Sequence, residues 1–163
     1  MEIEELYKEI ILDHYQNPRN YGTLDLSSTF YRGAYPFCTA EGENSLCGDS
    51  IYLQFFVEED RIVDIKFRGE GCALSLASAS MMTEMVKGKT LEEVTTLINR
   101  VKSIIEGKEK SQDELGDFQA LEGVKNFPVR IKCVLLAWTV LEEGIKDYKT
   151  RIKKEGENGK DSK

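Results

Sequence analysis

Four cysteines occur in this 163-residue chain, at positions 38, 47, 72 and 133, and one of them lies in the stretch Leu46-Cys47-Gly48-Asp49-Ser50. Glycine between a thiol and a carboxylate permits a tight backbone turn, so Cys47 and Asp49 can address one point. Cys72 follows in "GEGCALS" and Cys133 in "RIKCVLL". Three thiolates and one carboxylate make a four-coordinate donor set suited to zinc. The alternative is that these cysteines are small buried hydrophobes. Spacing alone leaves both readings open, because the chain has no CxxC pair and only the fold could bring positions this distant together.

Composition narrows the setting in which those thiols act. The formal charge is −7 and the pI about 4.9, so nothing favours a nucleic-acid backbone or an anionic membrane as partner. The first twenty residues carry four glutamates and no apolar core of a signal sequence, and no run approaches bilayer-spanning length. These features predict a cytoplasmic protein. In a reducing compartment, a chain long enough to build its own core has no need of disulfides, and thiols that matter there are ligands or nucleophiles.

The elements that must position the thiols follow from periodicity. Ile3, Leu6, Tyr7, Ile10, Ile11 and His14 recur at helical spacing, predicting an N-terminal helix that ends before Pro18. Then "TFYRGAYPF" from Thr29, "SIYLQFFV" from Ser50 and "RIVDIKF" from Arg61 read as an antiparallel three-stranded meander, with "EGEN" and "EED" as turns. Cys72 opens an Ala/Ser/Met-rich helix that stops at Gly88, and Thr90 with Glu93 forms a capping box for the next helix, to about Glu106. A polar connection follows, and Pro128 starts a last helix running through Trp138 towards Lys153.

The expected fold is α+β: one domain over residues 1–152, with helices packed on one face of a small antiparallel sheet, followed by a disordered charged tail, 153–163. Cys47 then falls in a turn, Cys72 at a helix start and Cys133 near another. Unpaired N–H groups at such places favour a thiolate.

The stretches "LYKEIILDHYQNPRNYG", "CGDS", "RGEGCALSLASASMM" and "VRIKCVLLAW" resemble the U-type iron–sulfur biogenesis family, whose branches include IscU, the NifU N-terminal scaffolds and SufU. The similarity spans roughly Leu6 to Glu142. It implies a protein that receives sulfur from a pyridoxal-phosphate cysteine desulfurase and delivers sulfur or a cluster to downstream acceptors. It also implies that Cys47, Asp49, Cys72 and Cys133 are the metal or cluster ligands. IscU-like members carry histidine just before the third cysteine, where this chain has Lys132, and their chaperone-recognition motif is replaced here by "FPVRIKC". Those departures resemble the SufU-like branch, implying zinc and sulfur relay, with Cys47 the acceptor once a desulfurase histidine takes its place on the metal. The family also often has proline near Ser45, whose absence is expected to loosen the Cys47 turn.

Other residues each have a plainer role beside the functional one. Lys132 is either a countercharge to the anionic ligand set or a solvated lysine; Arg130 either pairs with Asp49 or a partner protein, or is a surface arginine. His14, the only histidine, sits on the apolar side of the first helix and reads as a core or interface residue. Cys38 reads as a structural thiol, and Met81, Met82 and Met85 as core filling. A cysteine hydrolase is disfavoured for want of a histidine base. Three functions stay in play: a zinc-dependent sulfur acceptor, a scaffold for a [2Fe–2S] cluster, and a zinc module that only binds a partner.

Overall fold

Alternation of apolar side chains in "IYLQFFV" and "RIVDIKF" drives two strands to share one buried face, and the rest of the chain is arranged around that face. The computed structural model describes residues 3–25, 37–111 and 113–161. Its elements run α1 (Ile3–Gln16), β1 (Phe37–Asn44), β2 (Asp49–Glu58), β3 (Arg61–Glu70), α2 (Ala73–Val86), α3 (Leu91–Ile105), a 3-10 segment (Asp113–Asn126) and α4 (Pro128–Asp161). The strands form one antiparallel sheet in the order β1-β2-β3. This is the α+β architecture expected, with α2 and α4 laid on the sheet.

The core lies between sheet and helices. Ile51, Leu53, Phe55 and Val57 of β2 and Ile65 and Phe67 of β3 are buried against Ala77, Met81 and Met82 of α2 and Val134, Ala137, Trp138 and Leu141 of α4. Met85 packs against this core from a partly buried position. Trp138 Nε1 donates to Ser78 Oγ at 3.1 Å, and Ser78 Oγ donates to the carbonyl of Val134 at 2.6 Å. Ser78 and Trp138 therefore have their buried polar groups paired where α2 meets α4, as an apolar interior requires. Phe118 of the 3-10 segment meets the indole edge-on, centroids 5.4 Å apart.

Two parts of the expected layout are corrected. "EGEN" is the end of β1, not a turn, and the chain reverses at residues 45–48 instead. Cys38 accordingly lies near the start of a strand. Glu41 and Glu43 alternate with partly buried Ala40 and Gly42, and pairing with β2 imposes the strand although its β propensity is low. The predicted strand over 29–37 falls outside the described residues, apart from its last residue, Phe37. At the other end α4 continues to Asp161 through the segment where a disordered tail was expected. Lysine and glutamate are good helix formers, and extending an existing helix avoids a new nucleation step.

His14 takes the core role expected. It is 1% exposed, with Nδ1 2.8 Å from Ser80 Oγ of α2 and Nε2 2.9 Å from Asp117 Oδ2. Thr90 and Glu93 make the reciprocal capping box that starts α3.

Candidate metal centre

Three element ends meet at one end of the sheet. The β1–β2 turn supplies Cys47, the first residue of β2 supplies Asp49, and Cys133 lies in the second turn of α4. Ligand atoms of Cys47, Asp49 and Cys133 all lie within 4.8 Å of one another. The two sulfurs are 3.1 Å apart, and all four cysteines are free thiols. Cys72, which precedes α2 as its N-cap, stands just outside that tightest set, its Sγ 3.9 Å from Asp49 Oδ2. The fold thus brings all four predicted ligands to one place. Cys38 is elsewhere, buried beside Arg151.

Local backbone chemistry explains the placement. Gly48 has φ +68°, in the left-handed region that glycine enters without a Cβ penalty, and Cys47 N–H donates to the carbonyl of Asn44 at 3.2 Å across the turn. Asp49 is only 2% exposed, and its Oδ1 accepts the Cys72 backbone N–H at 2.9 Å. A carboxylate at that point satisfies a donor that the start of α2 leaves unpaired and meets the positive end of the helix. Oδ2 is left turned towards the thiols.

Burial separates the thiols. Cys133 is fully buried, whereas Cys47 and Cys72 are half-buried. Burial pushes the Cys133 thiol well above the ordinary range, helped by its contacts with Cys47 and Asp49 and by the nearby Cys72. A cation bound among these donors would favour the thiolate form of Cys133. The donor set, sulfurs plus one anchored carboxylate, fits zinc or a thiolate-bound iron centre.

Lys132 is exposed and lines a cleft of about 390 Å³ between the Cys47 turn and α4, with Asn44, Ser45 and Leu46 on the opposite side. Arg130 is exposed in the first turn of α4, and no ion pair among the described residues joins it to Asp49. Asn44 was not singled out from sequence, yet its Nδ2 lies 3.8 Å from Cys133 Sγ. Its only sequence signal was a side-chain donor three residues ahead of Cys47. Leu46, next to Cys47 in sequence, and Phe127 and Val129, at the start of the helix that carries Cys133, are 78%, 62% and 66% exposed, apolar surface that charge patterning did not announce.

The NifU-like N-terminal domain family matches residues 6–155. The chain belongs to that family. This NifU-like domain is 42% identical, over 88% of its length and 91% of the relative's, to a Bacillus subtilis protein named zinc-dependent sulfurtransferase SufU. It is 40% identical, over 88% of its length and 85% of the relative's, to a Streptococcus pyogenes protein named iron-sulfur cluster assembly scaffold protein IscU. A solved structure from Fervidobacterium islandicum, described as an assembly scaffold for the SUF system, superposes with a TM-score of 0.74 at 34% identity, covering 88% of the NifU-like domain and 99% of that chain.

Proposed function

We propose that this NifU-like domain is a zinc-bound sulfur acceptor of iron–sulfur cluster assembly, working in the cytoplasm with a cysteine desulfurase. The observation that carries the reading is the convergence of Cys47, Asp49 and Cys133 within 4.8 Å, with Cys72 beside them. Identity to the B. subtilis sulfurtransferase and the exposed Lys132 next to the site support zinc over cluster building.

Zinc, when bound, supplies the positive charge that keeps the grouped sulfurs ionised. The chain's own residues divide the remaining work. Cys133, buried on α4, and Asp49, fixed through Oδ1, hold the site in place. Cys47 sits on a four-residue turn between strands, the position best able to swing outward. Its thiolate attacks the outer sulfur of the desulfurase persulfide; the S–S bond breaks, the enzyme's cysteine leaves as thiolate, and the sulfane sulfur remains on Cys47 as a persulfide. No net oxidation occurs. Lys132, across the cleft from Leu46, offers positive charge near the incoming anion.

The decisive experiment measures alanine-forming turnover of the cognate desulfurase with wild type, Cys47→Ala and Asp49→Ala proteins, and maps the persulfide by mass spectrometry. Stimulation that is independent of iron and lost with Cys47 is the expected result. Label on Cys133 in intact protein would reject Cys47 as acceptor. The scaffold reading, favoured by the S. pyogenes relative, instead requires the same four side chains to hold a [2Fe–2S] cluster as cargo, so desulfurase stimulation would then depend on iron.

A further inference from the structure

Asn44 touches the site twice. Its backbone carbonyl accepts the Cys47 N–H at 3.2 Å, and its side-chain Nδ2 points to Cys133 Sγ at 3.8 Å. It is the last residue of β1 and pairs across the sheet with Asp49, so its position is set by the same strand register that sets the carboxylate. Among the described hydrogen bonds it is the only nitrogen donor to that sulfur; the others join Cys133 Sγ to Cys47 Sγ and to the carbonyl of Val129.

We propose that Asn44 is a positioning residue for Cys133: its amide N–H holds the Cys133 sulfur as the fixed ligand while the Cys47 turn, closed by the Asn44 carbonyl, is the part that opens. The inference rests on the reading above, in which these sulfurs bind metal. A thiolate accepts an N–H readily, whereas the amide oxygen turned the same way would meet like charge. The bond withdraws electron density from the sulfur and fixes its direction, as groups that hydrogen-bond to metal ligands do. One asparagine thereby assigns different mobility to two thiols only 3.1 Å apart.

The two contacts can be separated, because Asn44→Ala removes the amide and keeps the carbonyl. Asn44→Leu does the same while keeping the volume, should the alanine variant fold poorly. Full-length wild type and variants are titrated with zinc against a chromophoric chelator, and the sulfur-to-metal charge-transfer band is recorded with Co²⁺. Loss of the amide should weaken zinc binding roughly 10- to 100-fold. It should also move the band to lower energy, since the sulfur lone pairs are no longer stabilised. Variants that bind zinc as tightly as wild type with an unmoved band would overturn the role of Asn44 and leave the site intact. Wild-type protein that bound neither metal would remove the site, and this role with it.

Discussion

Asp49 Oδ1 accepts the backbone N–H of Cys72 at 2.9 Å, which ties the first residue of β2 to the start of α2. One carboxylate oxygen is committed to the fold and the other faces the thiols. Asp49→Asn keeps the acceptor, and Asp49→Ala does not. Both should weaken zinc binding by more than the roughly 10-fold of an outer-shell loss. Only alanine should speed hydrogen exchange at the Cys72 amide, followed by NMR.

Gly71 makes that approach possible. A Cβ there would collide with Asp49 Oδ1 and lie 2.9 Å from its Cα and Cγ, at a φ of +147°. Gly71→Ala should lower stability by about 1–3 kcal/mol and weaken metal binding with it, measured by urea unfolding and chelator competition.

Cys38 provides a test in alkali. Burial raises its thiol to about 11 from an ordinary 9.0, opposed by the adjacent Arg151. Between those values the folded state keeps a proton that the unfolded state has lost, so stability is full below pH 9 and falls as pH rises towards 11. The loss assigned to Cys38 is up to roughly 2–3 kcal/mol. Urea midpoints of wild type should drop more steeply over that window than those of Cys38→Ala.

His14→Ala removes a buried contact with Ser80 and a partly buried one with Asp117, and should cost about 2–4 kcal/mol. Zinc stoichiometry should stay unchanged, because His14 lies outside the ligand set. A stoichiometric loss of zinc in folded His14→Ala protein would show that the histidine has a share in the site.

That Cys47, Cys72 and Cys133 fall at a turn and two helix starts was legible locally, from the glycine after Cys47, the Ala/Ser run after Cys72 and the proline ahead of Cys133. Their grouping with Asp49 as one ligand set was implied only by the family resemblance. Strand β1 was not legible, since "FCTAEGEN" carries acidic and small residues and becomes a strand only by pairing with β2. The partners of His14 are 66 and 103 residues away, and the Asn44 donor is 89 residues from its sulfur. No local pattern encodes contacts at that range; packing of the finished fold creates them.

Trp138 is the chain's sole tryptophan, and its indole is bonded across the contact between the helix that Cys72 opens and the helix that carries Cys133. Its fluorescence therefore serves as an intrinsic gauge of how firmly those two helices are seated. A label-free emission trace during metal loading would register assembly of the centre from within the molecule.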